Sequence, residues 1–289
     1  MLGAVGHRRE LARGGQPWQE LDSRITLHDS PRMSDDSSRP ILTFARPGSR
    51  LSITERTVMP DSLQESTSTM DSIVIIGSSG HAKVIIDIVE QEGRYKIAGL
   101  LDLDRKVGEQ TLGYQILGRE EDLPQLAATH ALKGAIVAIG DNFVRSTVAA
   151  RVKEKCPGLL FASARHPRAS IARDVFVGEG TVIMAGVTVN PCCSIGRFCI
   201  LNTNSSLDHD SVMEDFSSLG PGATTGGNCR IGSCSAIAIG AVLIHGIHVG
   251  EHAILGAGST ALKNLDSLEV AYGTPARVVR DRKPGDPYL

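Results

Sequence analysis

Hydrophobic positions in the second half of the chain recur every six residues. Stepping by six from Ile171 gives Val177, Ile183, Val189, Ile195, Leu201, Leu207, Met213, Leu219, Thr225, Ile231, Ile237, Leu243, Val249, Leu255 and Ala261. Fourteen of these sixteen positions are Ile, Leu, Val or Met, with no insertion. The fifth residue of each hexad is mostly small: Thr181, Cys193, Cys199, Ser205, Ser211, Ser217, Ala223, Cys229, Ser235, Ala241, Ala253 and Ser259. A helix repeats near every 3.6 residues and a strand every two, so neither gives this period. A triangular coil does, with three six-residue faces making roughly 18 residues per turn and about five coils, each about 4.8 Å from the next.

The segment before it reads as alternating strands and helices. Ile73 to Ile76 is a short buried strand, Gly77-Ser78-Ser79-Gly80-His81 a turn, and Ala82 to Gln91 a helix with Val84, Ile85, Ile88 and Val89 on one face. A second strand, Ile97 to Leu101, ends at Asp102-Leu103-Asp104. A loop with Gly108 and Gly113 leads to a helix near Glu120 to Ala128 and a third strand, Ala135 to Ile139. That strand ends at Gly140-Asp141-Asn142, before a helix from Phe143 to Lys155. Strands alternating with helices predict an open parallel sheet, an α/β Rossmann-like unit ahead of the all-β coil.

Composition fits this division. Aromatic residues are only 4% of the 289, although large rings normally dominate burial; a triangular interior with small fifth positions leaves them no room. Five of the six cysteines (Cys192, Cys193, Cys199, Cys229, Cys234) fall inside the hexads and read as small core hydrophobes. A formal net charge of −2 lacks the basic footprint of a nucleic-acid binder. No apolar run approaches the ~20 residues of a membrane helix, so no membrane partner and a cytoplasmic location are expected. Residues 1–69 stand apart: they hold nine arginines, no lysine and nine acids, without hydrophobic periodicity. That stretch is expected to be disordered or translated upstream sequence, with Met70 as the natural start. The expected divisions are 70–166, 167–265 and a tail at 266–289.

Stacking picks out a candidate site. His209 plus 18 is Gly227, and 18 more is His245, so the three share one column of the coil. The glycine is expected to leave an open notch about 4.8 Å from the histidine, where its N–H can approach a ligand because no Cβ intervenes. A base beside a free amide donor suits acyl transfer: His209 takes a proton from the attacking group, and the Gly227 N–H stabilises the developing oxyanion. Asp210 raises the basicity of His209 through a carboxylate contact. No nucleophile is expected beside His209, which predicts direct transfer. His245, His248 and His252 share no column, so no metal site is expected.

The hexads resemble those of the hexapeptide-repeat acyltransferases, and the Gly-Ser-Ser-Gly-His βαβ unit joined to them resembles the NeuD/PglD-type sugar acyltransferases. The resemblance implies a left-handed parallel β-helix, acetyl-CoA as donor, and a homotrimer in which the pantetheine arm runs between neighbouring prisms. It gives His209 the role of general base, Asp210 the acid that enhances it, and Gly227 a place facing the thioester; Asn202 matches an asparagine near the acceptor amine. Asp210 replaces the usual Glu, and Ser218 stands where some relatives have a second histidine on the acetyl donor. The matching C-terminal coils carry Ile239, Gly240, Ala257 and Gly258. Ile239 and Ala257 are 18 apart, a small-residue track for an extended arm, and Lys263 and Arg277 are cations for CoA phosphates.

In the first unit a helix N-terminus favours an anion, and the resemblance assigns that loop to the nucleotide of the acceptor. Ser79, Gly80 and His81 are the candidates, with Asp102 at the end of the second strand to read a base or ribose. The expected activity is acetyl-CoA-dependent N-acetylation of a nucleotide-linked amino sugar. O-acetylation of sialic acid or a related sugar is the nearer alternative, and a non-catalytic β-helix binding protein the more distant one.

Overall fold

The computed structural model describes residues 70–287; the expectations for residues 1–69 lie outside them. Strand β1 (Asp71–Ile76) is buried from Ile73 onward and is followed by helix α1 (Gly80–Glu92) and strand β2 (Tyr95–Leu101). Helix α1 buries Ala82, Ile85, Ile86, Ile88 and Val89, whereas Val84, expected on that face, is exposed. The loop expected around Gly108 and Gly113 is instead a hairpin of β3 (Gln110–Thr111) and β4 (Tyr114–Gly118), and β4 extends the sheet beside β2. Helix α2 (Leu123–Thr129), strand β5 (Gly134–Val137), helix α3 (Asn142–Lys155) and strand β6 (Leu160–Phe161) complete the unit. The six-stranded sheet has the order β3-β4-β2-β1-β5-β6 and is parallel except for the β3–β4 pair. Gly77, just after β1, has φ +108°, and a Cβ there would lie 2.8 Å from the Ala138 carbonyl oxygen. Only glycine lets the chain leave the sheet so close to β5.

From Ala164 to Ala261 the chain forms two-residue strands every six residues. Strands pair in parallel with those 18 residues away, as in Val182↔Ile200 and Ile200↔Ser218. This builds three flat sheets around a triangular interior. The inner aliphatic positions from Ile183 to Ala261 are all buried, each contributing roughly 1.5–3 kcal/mol when aliphatic and fully covered. The fifth positions do more than fill space. Thr181 Oγ1 donates to the Gly196 carbonyl, 15 residues on, and accepts from the Cys199 amide, 18 residues on. Ser235 repeats this on Gly250 and Ala253, and the thiols of Cys193, Cys199 and Cys229 donate to Asp208, Glu214 and Ile244. Cys192, expected in the core, is exposed at a turn with φ +63°. The hairpin Glu269–Gly273 and Ala276–Asp281 closes the last coil by pairing with Ile254–Leu255.

Helix α3 locks the sheet unit to this solenoid. Arg145 is 1% exposed and donates to the carbonyls of Ile139 and Gly140 on its own side and of Phe198 and Phe216 on the coils. Asn142 reaches across as well, donating to Ser218 Oγ and the Ser235 carbonyl. The scarce aromatics gather at this seam: Phe161 meets Phe198 edge-on at 4.7 Å, and Phe198 stacks on Phe216 at 4.9 Å. No helix among the described residues is long and apolar enough to cross a membrane. Arg145→Ala leaves several buried carbonyls without donors and is expected to lower unfolding stability by about 3 kcal/mol, read as a fall in the urea midpoint.

Candidate active site

The solenoid turns form three edges. The turns at 190–193, 208–211, 226–229 and 244–247 make the first; those at 184–187, 202–205, 220–223, 238–241 and 256–259 the second; those at 178–181, 196–199, 214–217 and 232–235 the third, which carries the α3 seam.

His209 stands exposed on the first edge, its backbone N–H donating a hydrogen bond to Asp208 Oδ1 at 2.8 Å. Asp208 is itself anchored: its carboxylate accepts from Asn190 Nδ2 and its amide donates to Thr225 Oγ1. The donor bonds from Asn190 and from the His209 amide hold the Asp208 carboxyl below its usual range. Asp210 occupies a left-handed position, φ +58°, which Asp and Asn tolerate better than most residues. There its Oδ2 lies 2.7 Å from His209 Nδ1. That contact first, and the Asp208 and Asp210 charges with it, raise the His209 pKa above its ordinary value. With Nδ1 engaged, Nε2 is the free nitrogen, and it sits over Gly227. A Cβ on Gly227 would lie 2.5 Å from Nε2 and from Cε1. The notch expected to be open is therefore filled by the imidazole itself. The Gly227 carbonyl accepts from the Gly246 amide of the next coil, while its own N–H donates to no group among the described residues.

The other candidates on the solenoid lie elsewhere in the single chain. Asn202 is on the second edge, where its Oδ1 accepts from the Thr203 amide. Ile239 and Ala257 stack on that same edge, the Gly258 amide donating to the Ile239 carbonyl at 2.8 Å. An added Cβ at Gly240 or Gly258 would meet nothing within 4 Å, so this track has the open space a thin chain needs. Lys263 is exposed in the turn after the last complete coil, and Arg277 in the closing hairpin. Ser218 faces the α3 seam and accepts from Asn142.

In the sheet unit a cavity of about 540 Å³ opens at the C-terminal ends of β1, β2 and β5, lined among others by Gly77, Ser78, Ser79, Asp102, Gly140 and Arg151. This is the crevice where open α/β sheets take ligands. Ser79 lies on its wall as the residue before α1, and Gly80 begins the helix with open space around it. His81 turns inward; burial, then the Arg145 cation, push its pKa down to about 4, and its Nε2 is buried with no partner among the described residues. Asp102 is largely committed to the fold. Its Oδ1 accepts the amides of Asp104 and Arg105, and its Oδ2 accepts from Ser78 Oγ. Burial works against its ionised form, but these bonds prevail and hold the carboxyl low. Glu120, on the cavity rim, is bridged by Arg151 through two bonds of 2.8 and 2.7 Å. Ser78, Asn142, Arg145, Asn190 and Glu120 are supporting residues that sequence reasoning missed. Of these, only Ser78 and Asn142 lie in motifs the sequence had marked.

Comparison with known proteins gives this arrangement its family. Residues 72–152 match the PglD N-terminal domain. PerB from Caulobacter crescentus, solved in complex with CoA and GDP-perosamine, is 33% identical with a TM-score of 0.68, covering 72% of this chain and 97% of that one. The chain belongs to the PglD-type sugar acetyltransferases. Within the same family, the acetyltransferase domain of PglB from Neisseria gonorrhoeae, solved with acetyl coenzyme A, is 28% identical at a TM-score of 0.68, covering 73% of this chain and all of that one. GDP-perosamine N-acetyltransferase of Escherichia coli O157:H7 is 26% identical over 188 residues, 64% of this chain and 82% of the relative. This acetyltransferase thus has the α/β unit that its strand–helix alternation predicts and the left-handed β-helix that its resemblance implies.

Two substitutions probe the column. Asp210→Asn keeps the turn but removes the charge from His209 Nδ1, so the His209 titration midpoint, followed by NMR, is expected to fall toward the ordinary imidazole value. Gly227→Ala forces the exposed ring out of its seat; acetyl transfer is expected to drop about tenfold or more, while the thermal midpoint stays near that of the parent protein.

Proposed function

We propose that the protein transfers the acetyl group of acetyl-CoA directly to the amine of a nucleotide-linked sugar. The observation that carries this reading is the seating of His209, with Nδ1 on Asp210 at 2.7 Å and Nε2 over Gly227. In this reading His209 Nε2 removes a proton from the attacking amine. The Gly227 N–H meets the oxyanion as the tetrahedral carbon forms, and the same imidazole returns a proton to the departing thiolate. Solved or curated relatives act on, or are complexed with, an amino sugar joined to a nucleoside diphosphate, which supports an acceptor of that class. The cavity at the ends of β1, β2 and β5 is of a size for the nucleotide, with Ser79 and the start of α1 toward its phosphates.

Direct transfer is supported by what surrounds His209. The thiols of Cys193 and Cys229 point inward onto carbonyls, and burial raises the pKa of both. Cys192 is exposed, but it belongs to the coil below Asp210, whereas Nε2 lies over the coil above.

The same geometry supports a homotrimer. The sheet unit covers the third edge, leaving His209 on the first edge and Asn202 and the Ile239 track on the second. Ile239, Val242, Ile244 and Leu262 are exposed apolar side chains on the uncovered part. A second prism laid there covers them and brings the second-edge residues, with Lys263 and Arg277, to the CoA groove beside the His209 of its neighbour; Ser218, held by Asn142 at the α3 seam, stays outside it.

The test is thiol release from acetyl-CoA with a panel of UDP-, GDP- and dTDP-linked amino sugars and free sialic acid. An amino sugar nucleotide is expected to turn over, His209→Ala to lose about 10²-fold or more in kcat, and Cys192→Ser to keep full rate. Near-normal transfer by His209→Ala overturns the reading, and turnover of sialic acid alone moves it to O-acetylation. Light scattering is expected to give three times the chain mass.

A further inference from the structure

The column that holds His209 contains a second imidazole that the reaction above does not use. His245 lies two coils from His209, a backbone separation of about 9.6 Å. The ring centroids are nevertheless 6.4 Å apart, tilted by 44°. They close on each other because the intervening residue is Gly227, which has no side chain to keep them apart. Across a gap of this size a water can bridge two polar groups. Both rings are exposed in the single chain; once the substrates cover His209, the second ring is its way out to solvent. The other ionisable groups facing the pair are Asp208, which interacts electrostatically with both rings, and Asp210 on His209. Lys263 follows in the turn beyond His245.

Proton accounting gives this pair work to do. An amine acceptor at neutral pH arrives as the ammonium ion and loses two protons as its C–N bond forms and the C–S bond of the thioester breaks. One of them ends on the CoA sulfur. The other must leave for solvent before the amine can attack. A hydroxyl acceptor loses a single proton, which goes to sulfur, and exports none. His209 must therefore be emptied once per turnover on an amine, and the carboxylates that strengthen it as a base also retain its proton.

We propose that His245 is a relay residue that takes the ammonium-derived proton from His209 and delivers it to solvent, which dedicates this column to amine acceptors. His245 acts through His209. An imidazole suits the task because it gains and loses a proton near neutrality. The inference rests on His209 being the general base.

The experiment compares the parent protein, His245→Gln and His209→Ala with acetyl-CoA and the fastest amine acceptor of the panel, across pH. Because His245 is at the surface, the exchange to Gln leaves the coil intact, as circular dichroism can verify. Below the pKa of the acceptor amine, His245→Gln is expected to lose about tenfold in kcat with KM for both substrates unchanged. The loss is expected to vanish at a pH where the amine arrives neutral, and added imidazole is expected to restore the rate. A kcat equal to the parent's, or one lowered by the same factor at every pH and indifferent to imidazole, overturns the relay. If His209→Ala is inactive while His245→Gln behaves like the parent, the relay fails and the general base stands. If His209→Ala is active, the general base itself fails.

Discussion

The solenoid and the candidate column on it depend on one constraint, the parallel hydrogen bonding of each coil to the coil 18 residues away. Once that pairing is set, position in the sequence becomes position on a prism. Residues far apart in the chain are lined up by arithmetic, as His209, Gly227 and His245 are. The aliphatic first residue of each hexad supplies the burial that makes coils stack. The hydroxyls and thiols at the fifth position tie neighbouring coils from within, giving the interior a hydrogen-bonded thread as well as an apolar filling.

The active column exploits this regularity through one departure from it. A side chain at Gly227 would have separated the two histidines and displaced the imidazole from its seat. Its absence lets the His209 imidazole lie against the coil above while the Asp210 carboxylate holds the far nitrogen. Asp210 stands in a left-handed turn position that few residue types accept, so its charge beside His209 and its backbone conformation are selected together. The sheet unit, held by Arg145 and the Phe161, Phe198 and Phe216 cluster, occupies a different edge, which leaves the His209 edge uncovered.

Much of this was legible in the sequence because periodic patterns translate directly into geometry. The hexad list contains the solenoid, its register and the stacking of His209 on Gly227. What escaped were features that depend on side-chain direction and on contacts between units. The period places Gly227 beside His209 but says nothing of the ring folding over it. Asp102 sits where a ligand-reading acid belongs, yet its oxygens are spent on Ser78 and two amides, a local choice that spacing does not encode. Arg145 reads as one more charge on a helix; its burial follows only from the solenoid packed against α3. The edge hairpin of β3 and β4 was hidden because its two-residue first strand is too short for alternation to show.

The inward bridges of Thr181, Ser235, Cys193, Cys199 and Cys229 carry a consequence for how such a chain changes over generations. An O–H and an S–H serve the same carbonyl 15 residues on, so Ser, Thr and Cys can replace one another there with little effect on the coil. Drift at that column keeps mainly to a small-residue alphabet, which also admits Ala223, Ala241 and Ala253. Within it the sequence can diverge widely from its relatives while the distance from one coil to the next stays fixed.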